Sequence, residues 1–313
     1  MAYTGDKIAL INVDDTNICF YWLKNNPTAS SCFDEPFLGW LKTLHDTYGC
    51  VVTCPVFYVC ETDNITTLSE VPDTWKAEFE ANSSWLHFVF HSYSRFTGYA
   101  DPAVGTNWSF GGEIDFTRNM TDDYMLAKSE ITRICGASSW QDDAVTMHFI
   151  LGRKIDMLSI ASATGGNKLW IGYPRSIQEY YPYDYYFLAS VHPEVRADID
   201  SKGYYYDTTT GNLFIIGAYY PDYETWFPLI VEAIPVEGRN VLICTTHERF
   251  VEPENQQIRD KIAGMAVWAN ANGYVWQFPT YDYVVAAYGL NSPFSFTLNG
   301  KNGATYNINT KPA

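Results

Sequence analysis

The stretch Ile8-Ala-Leu-Ile-Asn-Val-Asp-Asp15 decides how this chain is read. It is a short, mostly apolar run that ends abruptly in two adjacent carboxylates. Such a run, bounded by polar residues, predicts a buried strand of a parallel sheet. Acids at the carboxyl end of that strand stand where α/β folds place their ligands. Two like charges buried side by side are costly, so the pair asks for a cation, a proton or a substrate. The local alternative is that Asp15 or Asn17 starts a turn or caps a helix, as Asp and Asn often do.

Outward from that strand, apolar runs alternate with helical patterns. Asp34-Glu-Pro opens a helix with acids and proline at its start, Phe37, Leu41, Leu44 and Tyr48 form its apolar stripe, and Gly49 stops it. Strands are expected at Val51–Val59, Leu86–Phe90, Val145–Leu151, Leu169–Ile171, Val241–Cys244 and Tyr274–Phe278. Helices are expected near Pro72–Glu80, from Thr121 to Ile134 before Gly136, over Ile155–Ala163, and over Pro253–Ala271. Gly203-Tyr-Tyr-Tyr-Asp and Asn212-Leu-Phe-Ile-Ile read as an aromatic β-hairpin turning around Thr208 to Gly211. Seven core strands separated by helices mean a parallel sheet, either a barrel or an open doubly wound sheet. We expect one domain over residues 1–290, with insertions at about 92–121 and 172–225, and a tail or small β appendage over 291–313.

Composition narrows the partners. The 313 residues carry 36 acidic against 20 basic side chains, a net charge of −16. That field repels phosphate backbones and anionic lipid, which argues against nucleic acid and membrane surfaces as partners. No Gly-x-Gly-x-x-Gly or P-loop follows the first strand, so nucleotide binding has no support. The N-terminus lacks a basic region followed by an apolar one, no stretch has transmembrane length, and no internal repeat is visible. Seven cysteines at 19, 32, 50, 54, 60, 135 and 244 show no Cys-x-x-Cys spacing, which fits free thiols in a reducing cytoplasm. With 24 Tyr, 18 Phe and 10 Trp, the chain has aromatic surface to spare for sugar rings as well as its core.

Three histidines bear on chemistry. Phe90-His91-Ser92 ends the third strand and Thr245-Thr-His-Glu248 follows the sixth, placing His91 and His247 near the mouth that holds the carboxylates. Carboxylate plus imidazole suits zinc, and a near-neutral imidazole can donate a proton. His148 lies within the fourth strand and reads as a core histidine. His45 and His87 read as structural or exposed, and His192 has no partner that sequence identifies.

The order Val13-Asp-Asp15, Phe90-His91-Ser92, Thr246-His247 resembles the NodB-type polysaccharide deacetylases over roughly residues 7 to 280. Within them it resembles an uncharacterised bacterial branch of deacetylase-like proteins, through Trp75 to His91, Tyr185-Tyr and Gly203-Tyr-Tyr-Tyr-Asp207. The resemblance implies an irregular (β/α)7 barrel with helices outside and the aromatic β-hairpin as an insertion. It makes Asp14 the general base, Asp15 and His91 ligands of a divalent metal, zinc first, and His247 the acid. The chain departs from the family pattern at three points. His91-Ser-Tyr-Ser-Arg95 has arginine where the family's second histidine stands, Thr16 replaces the usual glycine, and Gly172-Tyr-Pro-Arg175 only approximates the family's Arg-x-Pro-Tyr.

Arginine cannot ligate a cation. His148, Glu113 or Asp115 is then the candidate third ligand, or the metal is held weakly or not at all. The first functional expectation is a metal-dependent hydrolase of N- or O-acylated sugars, with Arg95, Trp170 and Tyr173 as substrate-binding residues. The second is a catalytically inactive barrel that binds carbohydrate, with Arg95 replacing the metal. A third is a metal-free hydrolase or lyase using Asp14, Glu248 and His247. The oligomeric state is left open.

Overall fold

A computed structural model describes residues 6–60, 66–94, 118–146, 163–164, 169–172, 204–206, 213–216, 219, 221, 241–290, 296–299 and 305–308. The amino-terminal half runs β1 (Lys7–Asp14), α1 (Ile18–Asn25), α2 (Pro36–Tyr48), β2 (Val52–Cys60), β3 (Thr66–Thr67), α3 (Lys76–Ala81) and β4 (Leu86–Ser94). Next come α4 (Met120–Cys135), β5 (Trp140–Thr146), β6 (Leu169–Gly172), β7 (Tyr204–Tyr206) and β8 (Leu213–Ile216). The chain continues through β9 (Val241–His247), α5 (Gln256–Ala271), β10 (Tyr274–Trp276) and α6 (Tyr281–Ala287), then β11 (Phe296–Asn299) and β12 (Thr305–Ile308).

This is an α/β fold around a mostly parallel sheet. Strand order is β10-β1-β2-β4-β5-β6-β8-β7, with β9 also on β1 and β3 on β2. Only β3 on β2 and β7 on β8 run antiparallel within it, while β11 and β12 form a separate antiparallel pair. β1 is central: β9 follows it from Ile8 to Asp14, and every residue of β1 after Lys7 is buried. That is why its sequence is a continuous apolar run rather than an alternating one.

The two faces of the sheet differ. Phe88 packs on Phe20 of α1 and Phe79 of α3, with ring centroids 5.6 and 5.8 Å apart, and Phe90 meets Tyr124 of α4 at 5.5 Å. Leu86, Phe88 and Phe90 therefore face helices, and by strand alternation His87 and Val89 face the other way. Register carries that second face across to Thr53 and Pro55 of β2, Asn12 and Asp14 of β1, and Thr245 and His247 of β9. These residues are buried as well.

Local signals hold where the sequence supplies them. Glu35 caps α2 by accepting from the Leu38 N–H at 2.7 Å, Pro36 occupies its first turn, and Gly49 ends it at φ 76° with its N–H on the His45 carbonyl at 2.8 Å. Elsewhere the structure corrects the sequence reading. β4 continues four residues past Phe90 to Ser94, because Ser92 and Ser94 still pair with Phe57 and Val59. β5 starts at Trp140, five residues before the expected Val145, and its acidic Asp142 is accommodated by bonds from Tyr124, Lys128 and Trp140. β10 is three residues long and touches only the amino end of β1, so it is a short flank rather than a full core strand. The helix expected from Thr121 is capped two residues earlier, by the Asn119 side chain accepting from the Thr121 and Asp122 N–H groups. α1 corresponds to the local alternative in which Asn17 caps a helix, for Asn17 occupies its N-cap position. The expected helix at 155–163 and the hairpin turn at 208–211 lie outside the described residues but for position 163.

Candidate functional site at the carboxyl ends of the strands

Asp14 is the last residue of β1 and the register partner of His247, the last residue of β9. Neighbouring parallel strands thus set a carboxylate beside an imidazole. The Asn12 carboxamide, two residues back on the same face, donates to Asp14 Oδ1 at 2.6 Å. Asp14 is 1% exposed, so this bond forms in a dry environment, where it fixes the carboxylate firmly.

Asp15 turns the chain. Among the described residues it is the one non-glycine residue with positive φ, 58°. Asp tolerates this left-handed region better than most residues. The turn is held by the Thr16 hydroxyl donating to the Val13 carbonyl at 2.7 Å and the Thr16 N–H donating to the Pro55 carbonyl at 2.9 Å. Had β1 continued by alternation, Asp15 would share the helix-facing side of Val13. The left-handed residue swings its carboxylate instead to the imidazoles: Oδ1 lies 3.3 Å from His91 Nε2 and Oδ2 lies 4.0 Å from His247 Nε2.

His91 is not at a strand end, as the sequence suggested, but at an irregularity inside β4. Val56 pairs with Phe90 and the next residue, Phe57, pairs with Ser92, so His91 is the extra residue of a bulge. Bulges redirect side chains. The ring packs on Phe57 with centroids 4.9 Å apart and is fully buried. His247 packs edge-on to Phe250 at 5.5 Å.

Glu248 follows His247 and has a different task from the acid–base role the sequence offered. Its Oε2 accepts from the N–H groups of Asn17 and Ile18, each at 2.6 Å, and its Oε1 from Cys19 N–H at 2.7 Å. These are the orphan donors at the start of α1. Asn17 occupies the cap position, but its side chain makes no cap bond, so a carboxylate 231 residues away does the capping. Burial first, then the nearby Glu35, push the Glu248 pKa up to about 8, against the pull of the three amides. Burial likewise pushes Glu35 up to about 7, its amide bonds opposing.

The two other described histidines, His45 and His87, behave as structural residues. His45 Nδ1 lies 2.9 Å from the Cys50 carbonyl and its ring stacks on Trp85 at 4.5 Å. His87 sits at the opposite end of β4, with Nδ1 2.8 Å from Gln141 Nε2, and burial lowers its pKa to about 4. Arg95, Tyr173, His148, His192, Glu113 and Asp115 lie outside the described residues, as does the side chain of Trp170, whose backbone belongs to β6.

Sequence reasoning placed Asp14, Asp15, His91 and His247 together, and the structure brings all four to one mouth. It overlooked Asn12, although an amide two residues before an acid on one strand face is a readable signal. Glu248 entered only through the third reading, as an acid or base, and no local signal points to its capping of α1. Among the described residues, no group of three or more His, Cys, Asp or Glu side chains is arranged to hold a metal ion, and no helix is long and apolar enough to cross a membrane. All six described cysteine side chains are buried free thiols. No protein-family model matches this chain, and no curated protein matches it.

Proposed function

We propose that the chain is a metal-dependent, deacetylase-like hydrolase acting on an N- or O-acylated sugar. The observation that carries this reading is the meeting of Asp14, Asp15, His91 and His247 where three parallel strands end or bulge, with one carboxylate in reach of both imidazoles. An oxygen and nitrogen donor set of this kind suits zinc or a similar divalent ion, and Asp15 and His91 would hold it. An ion held there would supply Lewis-acid polarisation of the acyl carbonyl and charge for the developing oxyanion. Asp14, oriented by Asn12, takes a proton from the attacking water. His247, on the neighbouring strand, protonates the departing amine or alcohol. The excess of acidic residues favours a neutral or cationic substrate such as an amino sugar.

Closure of the sheet into an irregular (β/α) barrel belongs to the same proposal. Two observations support it. Tyr219, three residues past β8, bridges to Cys244 of β9: its N–H donates to the Ile243 carbonyl at 3.3 Å and its carbonyl accepts from Thr245 at 2.8 Å. The face opposite the helices is also buried, apolar at Leu10 and Ile243 and polar toward the carboxyl ends of β1 and β9, where a barrel places its active site. The buried thiols suit a cytoplasmic setting.

A second reading is a carbohydrate-binding barrel without catalysis, in which Arg95 takes the cation's place. It is favoured by the sequence, in which Arg95 stands where the family's second histidine would. Element analysis of the purified full chain, with Asp15→Ala and His91→Ala beside it, separates the two. Stoichiometric zinc, nickel or cobalt that both variants lose supports the hydrolase. Failure of the wild type to take up any of these ions at micromolar concentration sinks it and leaves the binder.

A further inference from the structure

Two acids that the proposed reaction does not use stand at the starts of two helices. Glu248 ties down α1 through the N–H groups of Asn17, Ile18 and Cys19, and Glu35 caps α2 through the Leu38 N–H. Both are buried, Glu35 at 5% exposure and Glu248 at 1%. Among the described residues neither makes an ion pair. A buried carboxylate without a cation is costly, and a second one nearby makes it costlier. Helix starts favour negative charge, but they offset only part of that cost.

The two acids belong to one junction. The Val251 N–H donates to the Glu248 carbonyl at 3.0 Å, and the Val251 carbonyl accepts from Arg259 Nε of α5 at 2.7 Å. The same guanidinium lies 5.0 Å from the ring of Trp40 on α2. Both carboxylates act on the buried Cys19 thiol of α1, and the charge of Glu35 acts on Glu248. The turn after β9 thus meets α1, α2 and α5 around a pair of acids.

We propose that Glu35 and Glu248 hold one proton between them near neutrality, and that its loss in mild alkali releases Glu35 from the start of α2, so that this junction is a pH-sensitive latch. The acids titrate as a unit, and the proton belongs to the pair. Burial above all pushes both upward, and the charge of Glu35 raises Glu248 further. With one proton the junction holds a single negative charge against two helix starts; with none it holds two. Glu35 is the one to yield, because it is tied to fewer main-chain amides than Glu248. Arg259 is placed to receive it: its Nη2 is buried with no hydrogen-bond partner among the described residues, and its charge favours ionised Glu35. The other ionisable groups facing the pair or Arg259 are Cys19 of α1, Cys54 of β2, and Glu252 and Glu254 before α5. Burial keeps both thiols protonated, while Glu252 is half-buried and Glu254 exposed, where water screens their charge.

NMR of the full chain, labelled with ¹³C at the Glu carboxyls and ¹⁵N at the amides, tests the latch, with Glu35→Gln and Glu248→Gln assigning the two carboxyl signals. The pair should complete its titration only near pH 8, and the Leu38 amide should shift with that last step. In Glu35→Gln the Glu248 signal should titrate lower by about one pH unit or more, since the repelling charge is gone. In Glu248→Gln the Leu38 amide should lose its alkaline step, and Glu252→Gln should leave both readouts as in the wild type. Two titrations complete below about pH 6, as for ordinary carboxyls, or a Glu248 midpoint unmoved by Glu35→Gln, overturn the shared proton. A Leu38 amide indifferent to the last step overturns the latch. If a glutamine variant fails to fold, the wild type still decides: a Glu carboxyl and the Leu38 amide moving together near pH 8 support the proposal, and their absence overturns it. None of these readouts depends on what the mouth binds.

Discussion

Replacing Glu248 by alanine tests how the mouth is held together. In the native chain its carboxylate is fully buried and takes three main-chain N–H bonds of 2.6 to 2.7 Å from Asn17, Ile18 and Cys19. Alanine leaves those three donors without their acceptor, and two of the three residues, Asn17 and Cys19, are buried beyond the reach of bulk water. A lost helix cap costs about 1 kcal/mol, and a buried donor left unsatisfied costs roughly 1–3 kcal/mol. Removal of the buried acid, with its desolvation first and its repulsion with Glu35 second, offsets part of this. We expect a net loss of about 3 kcal/mol, a large share of the ~5–15 kcal/mol that holds a typical domain. Glu248→Gln, which keeps the volume and one acceptor oxygen, should lose only about 1 kcal/mol. Urea unfolding at pH 7, followed by tryptophan fluorescence, should show the midpoint falling in that order with the slope unchanged. Native-state hydrogen exchange should localise the effect, the amides of Asn17, Ile18 and Cys19 exchanging about a hundredfold faster in the alanine variant. An alanine variant as stable as wild type, with those amides still protected, would refute the claim that β9 anchors α1 through this carboxylate.

His87 gives a pH prediction of definite sign. Its pKa falls from an ordinary 6.5 to about 4 in the folded chain, so the unfolded chain binds the proton more readily between those values. The stability due to neutral His87 is complete above pH 6.5 and drains away as pH falls toward 4, at up to about 1.4 kcal/mol per pH unit. His87→Asn should therefore flatten the stability profile between pH 6.5 and 4, and a profile as steep as wild type would assign the acid sensitivity elsewhere. At Asp15 the left-handed backbone, φ 58°, predicts that Asp15→Asn unfolds close to wild type, that Asp15→Ala is weaker by about 1–2 kcal/mol, and that Asp15→Val is weaker still. Thermal unfolding of the three checks that order. Zinc uptake lost in Asp15→Ala and His91→Ala tests the site itself.

What was legible in the sequence follows from how local the cause is. β1 could be read because burial on both faces writes a continuous apolar run. α2 could be read because Glu35, Pro36 and Gly49 all act within their own turn or the next. α1 was legible only as the alternative in which Asn17 caps a helix, because the carboxylate that does the capping arrives from Glu248, on a strand that only folding brings near. β4 and β5 were misjudged at their ends for a related reason. Ser92, Ser94 and Asp142 look like loop residues until the pairing with β2 and the bonds from Lys128 and Tyr124 are known. Composition around a motif identifies the residues of a site, but the strand ends that aim them are decided by partners distant in sequence.

The aim itself depends on two breaks in regular structure. In an unbroken strand Asp14 and Asp15 would project from opposite faces, one toward the imidazoles and one toward the helices. The left-handed Asp15 cancels that alternation, and the extra residue at His91 does the corresponding thing on β4. Each break disturbs a β ladder, and each is held by bonds on the far side of it: Thr16 to Val13 and Pro55 on β1, Ser92 and Ser94 to β2 on β4. Irregularities that persist because their surroundings fix them gather where a protein binds or reacts. A sheet built only to pack would have no need of either. Their coincidence on Asp15 and His91, 3.3 Å apart, is the structural feature on which the proposed site rests.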